Sequence, residues 1–262
     1  MHETTPTVHL LARPSIDVEG MRAYLADVGG AGWLERRLEE AEGTPNAGEL
    51  LVEFAGRACY RSWEPGLNVN VTRVRADRRE YFENLLRSAH GSVLEHAGYS
   101  FALRNVSRVF THELVRHRAG SAFSQESLRY VRLTDIGFRV APALEPVRER
   151  VLAIVEQLEE FQRDAAQTLG IDDEGVPFHV KKEVTSALRR LAPIGLSTDI
   201  IWSANLRTLR HVIEMRTAEG AEEELRSVFD EIARVMLREA PLIFQDFERD
   251  ASGCWAPRFH KV

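Results

Sequence analysis

The sequence predicts a mixed α/β fold, and three stretches predict it. Tyr99, Phe101 and Leu103 alternate with Ser100, Ala102 and Arg104, the two-residue period of a strand buried on one face. Val151, Ile154, Val155, Leu158, Phe161 and Ala165 recur at three- and four-residue spacing, which predicts a long amphipathic helix over Val147–Leu169 that covers a sheet or a neighbouring subunit. Leu225, Val228, Phe229, Ile232, Val235 and Met236 form the cleanest such stripe, and it reads as core without chemistry. At 262 residues, with 44% hydrophobic and 28% charged, the chain can bury a sizeable core as one domain spanning 1–262.

The elements follow in order. Val8–Ala12, ended by Arg13-Pro14, reads as a strand near the start of a sheet, and Val18–Val28 and Ala47–Cys59 read as helices. Residues 30–45, heavily charged over 34–42, read as a short helix or a surface excursion, and Trp63, Pro65 and Gly66 mark a turn. Residues 77–88 form a helix with Phe82, Leu85 and Leu86 inward. From His90 to His96 runs a turn with two histidines, a serine and a glutamate. A metal site needs three or four convergent ligands and this spacing matches no familiar zinc signature, so no metal is expected.

Residues 107–118 read as a helix with Phe110, Leu114 and His117 on one face, so that Arg116 and Arg118 flank a half-buried imidazole. Residues 127–133 read as a short strand with Ser127 and Arg129 on the same face, a hydroxyl beside a guanidinium that suits an anion. Residues 181–191 form a helix ending in Arg189-Arg190, where cations also suit the negative end of the helix dipole. Residues 195–203 read as a strand buried on both faces. On the helix 205–216, Asn205 and Arg216 are nearly three turns apart and share an azimuth. Arg216 either reaches solvent or points a fixed charge into a pocket, and the spacing leaves both open.

Charge narrows the function. The formal net charge is −6, which speaks against a general nucleic-acid binder. Yet Arg104, Arg108, Arg116, Arg118, Arg129 and Arg132 face only Glu113 and Glu126 within one stretch, and ordinary surface ion pairs would be worth little. A local positive patch on an acidic chain points to a small anionic ligand. Two cysteines, Cys59 and Cys254, make no disulfide framework, no leader-like segment or membrane span is evident, and the cytoplasm is the expected compartment. Neither glycine-rich phosphate cradle nor an activated nucleophile is present. What remains is an Arg/His/Asn site for phosphorylated ligands, with chemistry lent by a cofactor.

One arrangement of residues goes further. Arg116-His117-Arg118, then Ser127-x-Arg129-Tyr130, is preceded by His90-x-Ser92-x-x-Glu95-His96 and followed by Asn205-x-Arg207 ahead of Arg216. These three motifs, in this order and covering about 77–247, resemble the flavin-dependent thymidylate synthases. The resemblance implies an α/β protein with a central, mostly antiparallel sheet flanked by long helices. It implies a homotetramer with FAD sites shared between subunits. It implies methylation of dUMP to dTMP, with 5,10-methylenetetrahydrofolate as carbon donor, NADPH as reductant and no cysteine nucleophile. By motif position, His90, Ser92, Arg116, His117, Arg118, Asn205, Arg207 and His211 would bind FAD. Gln125, Ser127, Arg129 and Arg189 would bind the nucleotide, and Arg216 would contact the uracil ring and act as the catalytic residue.

Two departures stand out: eight residues, where the family has seven, separate Arg118 from Ser127, and Glu113 stands where many members have glutamine near the substrate phosphate. A carboxylate there repels phosphate unless an arginine pairs with it. Two other readings remain open: a relative acting on another pyrimidine nucleotide such as UMP, and a nucleotide-binding protein without catalysis.

Overall fold

A computed structural model of the chain describes residues 1–40 and 46–262. β1 (His2–Glu3) and β2 (Thr7–Ala12) precede α1 (Val18–Val28), α2 (Ala31–Glu40), α3 (Ala47–Tyr60) and α4 (Arg78–Arg87). A 3-10 helix at Gly91–His96 leads into β3 (Gly98–Ser107), α5 (Arg108–Leu114), β4 (Ser121–Gln125) and β5 (Gly137–Phe138). Then come α6 (Arg148–Thr168), α7 (Phe178–Leu188), β6 (Ser197–Asn205), α8 (Leu206–Thr217), α9 (Glu223–Glu239), β7 (Phe247–Arg249) and β8 (Trp255–Pro257). The expected element over 30–45 is α2, and positions 41–45 lie outside the described residues.

Side chains set the starts of several helices. Asp17, Asp77, Ser107 and Asn205 each accept from the backbone N–H three residues on, satisfying a donor that the helix itself leaves unpaired. The main sheet runs β2-β3-β6-β4 and every neighbouring pair in it is antiparallel. Tyr99, Phe101 and Leu103 are buried on the face that also carries Ile200, Trp202 and Ala204, as their alternation predicts. Onto that face pack Phe82 of α4, Phe110 of α5, Leu209 and Val212 of α8, and Phe229 and Ile232 of α9. Trp202 meets the edge of Phe229 at 5.6 Å between ring centroids. Near its end β3 bulges, and Asn105 (φ 56°) donates its N–H to Asp199 Oδ1 at 3.0 Å.

Three expectations need correction. The strand at 195–203 is buried on one face only, because Ile201 on its other face stays 38% exposed. The helix expected over 107–118 ends at Leu114, where backbone bonds tighten to three-residue spacing. The strand expected over 127–133 is a helical turn, with Tyr130 and Val131 both donating to Ser127 O, and the strand lies earlier, at β4. Of the two surfaces open to α6, the four-stranded sheet is not the one it covers: Val155 packs with Leu133, Ile136 and Phe138, leaving Ile154 and Phe161 exposed.

Candidate active site

The site grows from the end of β3. Ser107 caps α5 while its N–H donates to the buried Glu224 of α9 at 2.8 Å, so the origin of α5 is fixed. After Leu114 the chain cannot continue as helix and still enter β4. Arg116, His117 and Arg118 therefore lie on a tight turn that ends at Gly120, whose φ is 66°. No other residue fits there, since a Cβ would stand 2.4 Å from both Asn205 Nδ2 and Thr208 Oγ1. Asn205 N donates to Gly120 O at 3.1 Å and Thr208 Oγ1 to Ala119 O at 2.7 Å, which ties this turn to the head of α8.

Between turn and helix lies a cavity of about 610 Å³. Six of the residues expected to bind cofactor line it: Arg116, His117, Arg118, Asn205, Arg207 and His211. Glu95 of the Gly91–His96 helix also lines it and is held by Arg207 at 2.5 Å. Among the described residues Arg116 and Arg118 make no ion pair, although most arginines of the chain do. Across a separate cavity of about 260 Å³ lie His90 and Ser92, together with Cys59, Tyr60 and Asn84. Tyr60 stacks on His90 at 5.8 Å. The Gly91–His96 helix is thus a shared wall: Gly91 abuts Arg207, where a Cβ would lie 2.8 Å from Nε, while His90 and Ser92 face the other side.

Arg216 neither reaches solvent freely nor stands alone. Its Nε donates to His117 Nε2 at 2.8 Å, and its Nη1 to Glu113 Oε2 at 2.7 Å. This resolves the question of Glu113: an arginine does pair with it, and it is Arg216 itself. Burial, then the charge of Arg216 and the nearby His211, push His117 down to about 4 against the pull of Glu113. His117 is therefore neutral at neutral pH, and the lone pair on Nε2 is available to accept from Arg216.

The residues expected to hold the nucleotide lie apart from this cavity. Gln125 Nε2 donates to Thr111 Oγ1 at 3.0 Å. Because 127–133 is a turn, Ser127 and Arg129 are not neighbours on a strand face; Ser127 Oγ instead accepts from the Arg129 amide at 3.4 Å. Arg129 lines a groove of about 440 Å³ with His179, Lys182 and Arg190. Arg189 faces the other way, toward Leu128, Arg132 and Gln162. Sequence reading missed Lys182, Arg190, Tyr60 and Lys261. The first two were open to it, because 179, 182, 186 and 190 share one face of a helix running into its last turn. Tyr60 and Lys261 had no local signal.

Among the described residues no helix is long and apolar enough to cross a membrane, and no three His, Cys, Asp or Glu residues gather as a metal site.

Comparison with known proteins agrees with the motifs. A family model described as thymidylate synthase complementing protein matches residues 42–242. The flavin-dependent thymidylate synthase of Mycolicibacterium gilvum is 37% identical over 212 residues, covering 78% of this chain and 81% of that protein. Those of Mycobacterium marinum and Mycobacterium tuberculosis are 37% and 35% identical over 208 residues, with the same coverage.

Proposed function

The chain belongs to the flavin-dependent thymidylate synthase family, and from that premise we propose that it methylates dUMP to dTMP, with FAD as cofactor, 5,10-methylenetetrahydrofolate as carbon donor and NADPH as reductant. The observation that carries the reading is the cavity between Arg118 and Arg207. It gathers three guanidiniums and the side-chain amide of Asn205, and its carboxylate Glu95 is already committed to Arg207. That donor set fits the diphosphate of a dinucleotide, since guanidiniums bind such oxygens bidentately. We assign Arg116, His117, Arg118, Asn205, Arg207 and His211 to FAD in this cavity, and His90 and Ser92, which face the separate cavity behind the Gly91–His96 wall, to FAD at a site shared between subunits. When bound, FAD supplies the hydride that completes the methyl group.

The chain's own residues bind, orient and polarise. Arg216 is assigned as the catalytic residue, a fixed cation that stabilises charge developing on the uracil ring, a contribution of about 3 to 4 kcal/mol. Neutral His117 and Glu113 hold its Nε and Nη1, leaving Nη2, with one long contact of 3.5 Å to Glu113 O, as the donor for substrate. Gln125, Ser127, Arg129 and Arg189 are assigned to the nucleotide. Their separation from the cavity supports a homotetramer in which one subunit's nucleotide residues meet another's cofactor residues. Ile154, Phe161, Phe178 and Ile194, exposed on one chain, supply apolar surface for that assembly. We further propose one cytoplasmic enzyme domain over 1–262.

The test is the absorption spectrum of the purified protein with FAD, followed anaerobically by NADPH, with and without dUMP, and assay of dTMP formation. Bound flavin that bleaches and turns dUMP over is the expected result; turnover of UMP in its place overturns the substrate, and absence of flavin binding overturns the cofactor.

A further inference from the structure

Residues 243–262 lie beyond the span that the family model matches, yet they reach the cofactor cavity. Their path is set by α8. Arg210, 2% exposed, pairs with Asp246 through two bonds of 2.7 and 3.0 Å and also donates to Ile243 O at 2.6 Å. Asp246 Oδ2 in turn accepts from Phe259 N at 3.1 Å, and Trp255 N donates to Thr217 Oγ1 at 2.9 Å. The tail is therefore fastened to the same helix that carries Asn205, Arg207, His211 and Arg216. Beyond Phe259 it crosses the cavity, which His260, Lys261 and Val262 line opposite the arginine turn. His260 Nδ1 meets Glu214 Oε1 at 2.6 Å, and the backbone of Val262 packs on Gly91, where a Cβ would lie 3.0 Å from its carbonyl carbon.

The Lys261 ammonium makes no hydrogen bond or ion pair among the described residues, nor do the guanidiniums of Arg116 and Arg118, and all three residues are exposed. Arg116, Arg118, Arg207 and Lys261 line the cavity against the side-chain carboxylate of Glu95, and this net positive lining suits a multiply charged anion. Resting on the FAD reading above, we propose that Lys261 is a further cofactor-binding residue that contacts the FAD diphosphate, the tail forming one wall of the site. Neither the motifs nor the matched span includes it.

The experiment titrates FAD into the full chain and into Lys261→Ala and Lys261→Arg, following flavin fluorescence at several salt concentrations. Loss of one charge-assisted contact weakens FAD about tenfold in Lys261→Ala. The affinity of that variant also falls less steeply with salt than that of the native chain, and Lys261→Arg, which keeps the charge, restores both. Native affinity in Lys261→Ala overturns the proposal, as does a Lys261→Arg variant as weak as Lys261→Ala, since the lysine would then act through packing. A native chain that binds no FAD overturns the cofactor reading itself, and this one with it.

Discussion

Between α2, α3 and α4 the Glu53 carboxylate is fully buried and accepts from Arg37 Nε, Arg57 Nε and Arg78 Nε at 3.1, 2.9 and 3.1 Å. At the head of α8, Arg116 and Arg118 line a cavity whose side-chain carboxylate, Glu95, is held by Arg207, and neither makes an ion pair among the described residues. The first group is nearly closed: Arg57 spends its remaining donors on Ser62 O and Arg75 O, Arg37 reaches Ala76 O, and Arg78 Nη2 is buried without a hydrogen bond, 3.6 Å from Glu49 Oε2. The second is open. In the first cluster the fold itself takes up the guanidinium donors, so removing the shared carboxylate strands them; in the second the donors are left for a ligand, as proposed above. Burial raises the Glu53 pKa, but the charges of Arg57, Arg37 and Arg78 outweigh it and hold the carboxyl below its ordinary 4.5.

The comparison can be broken by exchange of assays. Glu53→Ala strands buried guanidiniums and should cost about 3 to 5 kcal/mol in denaturant unfolding. Arg118→Ala should move the same midpoint by less than about 0.5 kcal/mol while weakening FAD about tenfold. Similar unfolding costs for the two would erase the distinction. The sign with pH follows: Glu53 contributes its full stability above about pH 4.5, and that share is lost as acid reaches its lowered pKa.

Arg216 belongs to both classes, paired through Glu113 yet half-buried at the site. Arg216→Ala is expected to slow dTMP formation by about two to three orders of magnitude, measured as kcat at saturating dUMP. A variant that keeps its rate would move Arg216 to the structural class. The smallest effect is on His117, which NMR titration should place near 4 in the free protein. Removing Arg216 should raise it, though not to 6.5, because burial remains the leading cause. With its folded value below the unfolded one, His117 makes the protein less stable as pH falls from 6.5 toward 4.

Local pattern was legible in several elements with one-sided burial. The bounds read for α1, Val18–Val28, are those observed, and the stripes of β3 and α9 are the core stripes. What failed depended on distant partners. β4, reading SAFSQ, has little apolar signal and is a strand because β6 pairs with it residue by residue from Ser121↔Ala204 to Gln125↔Ile200. β1 pairs with β5 across more than a hundred residues, so neither has a local signature. At the site, the motif arginines were legible as types, but which cations face one another was not: Arg189 was read toward Arg129, and Arg190 lies there. The pairing of Arg216 with His117 joins two elements about a hundred residues apart, which no spacing reveals.

The bonds that tie Gly120 and Ala119 to Asn205 and Thr208 have a kinetic meaning. The arginine turn and the head of α8 are joined at one junction, so, if they hold FAD as proposed, their donors are already gathered and little chain entropy is lost on association. On the FAD assignment proposed above, capture is then governed by encounter and charge rather than by folding of a loop, and its on-rate should fall as ionic strength rises.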